Sequence, residues 1–201
     1  MRVMSESAQH LVPGTHEHPS IALVNTLEGG AAGRSRDALS TPEGATAWLV
    51  DRGMIAPEAE LYEPCRRRLV ELREDLRDLF IAHVTGGIPS PESIDAVNRA
   101  LTSAPGALLL RFDPRERFSR GVDHPATQVV EHVMAVIAED AAALLAGEDA
   151  PSLAACEAPS CRWFFLRTHA RRQWCSTRCG DRVRAARAYA RKRAQQVAQT
   201  R

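Results

Sequence analysis

Four cysteines in the last quarter of a 201-residue chain, Cys156, Cys161, Cys175 and Cys179, follow the spacing C-x4-C-x13-C-x3-C. Thiolates are soft ligands suited to tetrahedral zinc, and two close pairs joined by a short stretch match the pattern of structural zinc sites. With protein sulfur in all four positions, none is left for a substrate or an activated water. The spacing therefore points to one structural Zn2+ per chain and away from a catalytic metal. The same tetrahedral thiolate set accepts iron, and in an oxidising compartment the four residues would instead pair as disulfides.

Each pair needs its own backbone. Pro159, between Cys156 and Cys161, suits a tight loop that aims two thiolates at one point. Cys175 and Cys179 fall where a helix begins, and the unpaired N–H groups of a helix start favour thiolates. Residues 163–166 (Trp-Phe-Phe-Leu) and Gln173-Trp174 read as two strands of a hairpin between the pairs. Loop, hairpin and helix in that order make a treble-clef-like finger. Arg162, Arg178 and Arg182 lie close enough in sequence to offset the negative charge of the metal–thiolate centre by hydrogen bonding to sulfur.

The closing helix, expected over residues 176–196, carries two patterns. Val183, Ala186, Ala190 and Val197 form a thin apolar stripe for packing, while Arg184, Arg187 and Arg191 form a row, with Arg182 and Arg193 on another. Guanidinium groups bind phosphates bidentately and can read guanine edges in a major groove. Arg178, Arg182, Arg184, Arg187, Arg191, Lys192 and Arg193 are the candidate nucleic-acid contacts. DNA is the expected partner. RNA is an alternative, since Trp163, Phe164 and Tyr189 could stack on bases, although burial is the plainer use of the first two.

The formal net charge of +1 conceals a segregation: residues 1–155 sum to −9 and residues 156–201 to +10. A basic arm on an acidic body implies a polyanionic partner, or an arm that docks onto the body within one molecule or a dimer. An apolar fraction of 44% with 25% charged residues is that of a globular protein. No run approaches the ~20 apolar residues that span a bilayer, and residues 1–18 lack the apolar core of a secretory signal. A cytoplasmic location with reduced thiols is expected, and one lysine (Lys192) against 25 arginines suggests a bacterial source with a GC-rich genome.

The fold class expected is mainly α with a small β-hairpin, in four stretches: a flexible N-terminus (1–18), a helical domain (19–147), a linker (148–155) and the finger with its basic helix (156–201). Residues 21–27 read as a helix. Thr41 caps a helix opening at Pro42 and ending by Gly53, with Ala45, Trp48 and Leu49 inward. A long helix over 57–84 repeats Leu61, Cys65, Leu69, Leu72, Leu76, Leu79 and Phe80 at helical spacing, with a kink or restart at Pro64. On it Arg66, Arg67 and Arg68 are expected to pair with Glu71, Glu74, Asp75 and Asp78 along the surface, and Cys65 to be a core thiol. Further helices are expected over 91–103 and 125–145, with strands over 107–112 and 117–119. The domain could dimerise or sense a ligand. His16 and His18 could touch a metal, but at i and i+2 they fix no third ligand, and solvent exposure is expected. His83, His124 and His132 are scattered, and no nucleophile elbow, phosphate loop or carboxylate pair accompanies them, so no enzymatic activity is expected.

Residues 174–182 (Trp-Cys-Ser-Thr-Arg-Cys-Gly-Asp-Arg), preceded by Cys156, Cys161 and then Arg162-Trp163-Phe164-Phe165, resemble the CGNR zinc finger. That finger closes bacterial proteins whose N-terminal part is the ABATE domain. Val24-Asn25-Thr26, residues 37–42 (Asp-Ala-Leu-Ser-Thr-Pro), Trp48-Leu49 and Gly53 are similar to that domain. The resemblance implies a four-cysteine zinc site, nucleic-acid binding and a role in transcription regulation. The finger's signature asparagine is Asp181 here. A carboxylate would repel phosphate, whereas at a helix cap it replaces asparagine well, and capping is the expected role.

Overall fold

The structure, a computed structural model, describes residues 12–29, 35–103, 109–115, 117–121 and 129–199. Among them lie six helices: α1 (Pro19–Val24), α2 (Pro42–Asp51), α3 (Glu63–Thr85), α4 (Pro91–Thr102), α5 (Val129–Ala146) and α6 (Thr177–Gln199). Six strands form three antiparallel pairs: β1 (Leu27–Glu28) with β2 (Arg36–Asp37), β3 (Leu109–Asp113) with β4 (Arg117–Gly121), and β5 (Leu153–Ala155) with β6 (Phe164–Leu166).

Six residues are too few for a stable isolated helix. α1 persists because it is apolar nearly all round and sits inside the body, with Ile21, Ala22, Leu23 and Val24 at 0% exposure. Its N-terminus is capped from α5: Asp140 accepts from the Ser20 N–H at 2.9 Å and from the Ser20 hydroxyl, and pairs with His18 Nδ1 at 2.8 Å. α2 starts as its sequence predicts, with the Thr41 hydroxyl accepting from the Gly44 N–H at 3.1 Å. Gly53, at φ +65°, takes the chain away from it.

α3 begins later than the periodicity suggests. Pro64 lies in its first turn, where a missing N–H breaks no helical bond, so residues 57–62 form a loop. Leu69, Leu72, Leu76 and Phe80 carry its buried stripe, and Cys65 lies half-buried at the edge of the core. The expected surface pairs form differently. Arg66 pairs with Glu63 at 2.6 Å, and Arg68 reaches Glu131 on α5. Arg73 and Arg77, on the same helix, turn inward and are 4% and 8% exposed.

α4 is capped by the Ser90 hydroxyl, and α5 brings Val133, Ile137 and Leu144 to the same core. The predicted residues 107–108 of β3 and 125–128 of α5 fall outside the described residues. β3 and β4 pair through Phe112 opposite Phe118, with ring centroids 5.0 Å apart and both rings exposed.

Two apolar clusters meet at β5–β6. Successive strand side chains point to opposite faces, so Leu153 and Phe164 join the helical core while Ala154 and Phe165 join a second cluster around the cysteines. This alternation corrects the expected hairpin. β6 pairs with β5, not with residues 173–174, because β5 alternates in the same sense between the same two cores. Gln173 supplies one backbone bond, accepting from the Glu157 N–H at 3.1 Å. The stretch read as a linker thus includes a 3-10 turn (Ala150–Ser152) and β5. Residues 12–15 are packed, with His16 and Glu17 exposed: Val12 lies in the finger's cluster and the Pro13 carbonyl accepts from the Leu166 N–H at 2.9 Å. Residues 1–11 are outside the described part.

Candidate metal centre and basic helix

Cys156 and Cys161 bracket the loop that joins β5 to β6. Within it the Cys161 N–H donates to the Ala158 carbonyl at 3.0 Å, closing a four-residue turn with Pro159 second. Ser160, third in that turn, has φ +63°. Proline cannot adopt positive φ, so the turn is type II, a geometry that prefers glycine or asparagine at the third position. The second pair sits at the start of α6. The Ser176 hydroxyl accepts from the Cys179 N–H at 3.3 Å, which makes Ser176 the cap.

The four sulfurs lie within 4.8 Å of one another. Cys161–Cys175 and Cys175–Cys179 are 3.8 and 3.6 Å apart. A tetrahedron with Zn–S bonds of about 2.3 Å has edges of about 3.8 Å, so the thiolates fit a single zinc ion. These separations far exceed the ~2.05 Å of a disulfide bond, and all five cysteines are free. The zinc is structural, because the cysteines fill all four positions.

The protonation pattern of the metal-free thiols fits the same purpose. Hydrogen bonds from Cys161 and then Cys175 hold the Cys156 thiol well below the usual thiol range. The bond to Cys156 pushes Cys161 up, and Cys175 is raised by its bonds to Cys156 and Cys161. One thiolate is stabilised only while its neighbours keep their protons, and a dication removes that conflict by replacing them.

Outer groups hold the ligands in place. The Cys175 N–H donates to Cys156 Sγ at 3.4 Å, and Arg182 Nη2 donates to Cys179 Sγ at 3.6 Å. Of the three arginines expected to face sulfur, Arg182 does so, whereas Arg162 and Arg178 are exposed to solvent. Arg172, which spacing did not single out, stacks 5.5 Å from the Phe165 ring and donates to the carbonyls of Trp174 (3.1 Å) and Cys175 (2.8 Å). The body contributes Asn25, Arg77 and Gly29, all three overlooked as site residues. The legible signal was an arginine on the apolar stripe of α3.

Beyond its first two turns α6 leaves the protein. Val183 is buried, but Ala186, Ala190 and every other residue from 184 to 196 are exposed, and the side chain of Val197 is outside the described part. The packing stripe expected along the whole helix therefore ends at Val183, because no body surface lies beneath the later turns. Arg178, Arg187, Arg191, Lys192 and Arg193 are all exposed. Arg184 is engaged, pairing with Asp181 at 2.6 Å and lying 5.9 Å from the Trp174 ring. Asp181 does not cap the helix. It sits more than a turn past Ser176, on an exposed face, and its partner is Arg184. Among the described residues no helix is long and apolar enough to cross a membrane.

Comparison with known families agrees with both halves of this architecture. Residues 152–192 match the CGNR zinc finger, with Cys179-Gly180-Asp181-Arg182 as this chain's version of the naming motif. Among curated proteins no relative matches the sequence. Residues 17–148 match the family described as "Putative stress-induced transcription regulator", and the chain accordingly belongs to the ABATE family, carrying its structural zinc in a C-terminal CGNR finger.

Proposed function

We propose that the chain is a DNA-binding transcription regulator in which zinc fixes the root of α6 and the exposed part of that helix contacts the duplex. The observation that carries this reading is the emergence of α6 into solvent at residue 184 with Arg187, Arg191, Lys192 and Arg193 exposed. Arginine rows flank an exposed face of small alanines, which leaves room for a helix to enter a groove. The +10 charge of residues 156–201 supports attraction to phosphate. Arg182 is engaged at the thiolate and Arg184 at Asp181, so in this reading they shape the surface more than they bind. The reading includes no catalytic role, which the closed four-thiolate site supports, and a reducing, cytoplasmic setting. Mobility shifts of a labelled duplex by the intact chain, beside Arg187→Ala/Arg191→Ala, test it. A shift at low salt that weakens in the double variant supports it, and no shift with any nucleic acid at low salt refutes it.

One observation favours a second reading, in which the finger docks onto an acidic protein surface. A cleft of about 700 Å3 between α2 and residues 57–63 is lined by Glu43, Asp51, Glu58, Glu60 and Glu63. It offers the basic helix of another copy a complementary face, which would also be a route to a dimer. An RNA partner differs from DNA in using Tyr189, whose exposed ring could stack on a base.

A further inference from the structure

We infer that the helical body is the outer wall of the zinc site, with Asn25, Gly29 and Arg77 positioning the arm that carries Cys161. The finger is then no independent module: metal binding and docking onto the body form one coupled equilibrium. This holds whatever α6 contacts.

The three body residues grip alternate positions immediately around Cys161. Gly29, just after β1, lies so close to the type II turn that a Cβ built on it would sit 1.8 Å from the Ser160 carbonyl oxygen. No other residue fits there. One position beyond Cys161, the Arg162 carbonyl accepts from Arg77 Nη2 at 2.8 Å, and the same guanidinium lies 5.5 Å from the Phe164 ring. Two positions further, Asn25 makes a closed pair with the Phe164 backbone. Its Nδ2 donates to the carbonyl and its Oδ1 accepts from the N–H, both at 2.8 Å.

Burial makes these contacts consequential. Asn25 is 0% exposed, and Arg77 is 8% exposed with desolvation pulling its pKa down. Undocking the arm would take from the buried Asn25 amide its two bonds to the Phe164 backbone, and from Arg77 its 2.8 Å bond to the Arg162 carbonyl. The guanidinium has a longer bond besides, 3.5 Å, to the Val24 carbonyl of the body. Bonds lost by buried groups cost far more than a lost surface bond. The arm also contains Ser160 at positive φ, a conformation an unsupported loop relaxes from. Zinc and body each order the same few residues, so whichever binds first lowers the ordering cost of the other. Outer-shell groups at metal sites act in this way on affinity.

The test is the zinc dissociation constant of the full chain, measured by competition with a chromophoric chelator, for Asn25→Ala and Arg77→Met. Leu49→Ala, in α2, serves as a control that loosens the helical core without removing a hydrogen bond to the arm. Each of the first two is expected to lose about tenfold in affinity, with the control within about twofold of the parent. The cobalt-loaded forms report geometry directly, and their ligand-field bands should shift in Asn25→Ala and Arg77→Met alone. Unchanged affinity in both variants, or an equal loss in Leu49→Ala, overturns the inference. Should the larger changes prevent folding, Arg77→Lys decides: a loss beyond about twofold supports positioning, and a smaller one overturns it.

Discussion

Phe164→Ala removes a buried aromatic contact between finger and body, and its effect can be worked from the structure. The ring is 2% exposed. It meets Phe80 edge-on, with centroids 5.5 Å apart and planes at 70°, and Arg77 lies 5.5 Å from its centre. Losing roughly 150 Å2 of buried apolar surface at about 25 cal/mol/Å2 costs about 4 kcal/mol. The aromatic pair adds about 1 kcal/mol, which leaves the total within the range of about 3–5 kcal/mol typical for buried phenylalanine truncations. At about 2–4 °C per kcal/mol for a chain of this length, the melting point should fall by about 10–20 °C. The assay is urea and thermal unfolding followed by far-UV circular dichroism with zinc in excess. Phe165→Ala provides the contrast, because its ring is 0% exposed within the cysteine cluster. It should lower zinc retention while moving the helical transition less. A loss below about 1 kcal/mol for Phe164→Ala, or a larger effect of Phe165→Ala on the helical transition, would show that β6 does not divide its two rings between two cores.

Ser160→Gly relieves positive φ in the type II turn and should raise stability by about 0.5–1 kcal/mol, seen as tighter zinc retention against a chelator. Cys175→Ser removes a ligand that all four-sulfur geometry depends on, and elemental analysis should find the bound zinc lost. Acidification should release zinc too. The thiols of Cys161 and Cys175 are raised, so the metal-free state holds their protons and a falling pH favours it, which an indicator titration would follow. Thr41→Ala removes the cap of α2 and should cost about 1 kcal/mol in a thermal melt.

Local chemistry was the legible part of this chain. Thr41 before Pro42, the helix start at Pro91 and the four-cysteine spacing each act over a few residues, and each stands in the structure as expected. What sequence concealed depends on distant partners. Arg73 donates to Thr26 Oγ1 at 3.2 Å and pairs with Asp37 at 2.6 Å, and Asn25 reaches 139 residues along the chain to Phe164. The acids near Arg73 and Arg77 offer surface partners at helical spacing, which masks the inward course of the two arginines. Their position on the apolar stripe was the contrary signal. Phe164-Phe165 looks like one apolar run in the sequence, which hides that its two rings serve different cores and that β6 pairs with β5. The neighbourhood of Asp181 suggests a cap, yet capping depends on register, and Ser176 occupies the capping position.

The most direct measurement is fluorescence anisotropy of a labelled duplex with the intact chain across a salt series, zinc-loaded and after chelation. About five exposed cations, Arg178, Arg187, Arg191, Lys192 and Arg193, could meet phosphates. With about 0.9 counterions released per contact, the logarithm of affinity should fall with the logarithm of salt at a slope of about −4 to −5. Chelation should abolish the binding, because the root of α6 loses its anchor. Binding that survives complete zinc removal, or none at low salt with zinc in place, would contradict a zinc-held helix that contacts DNA.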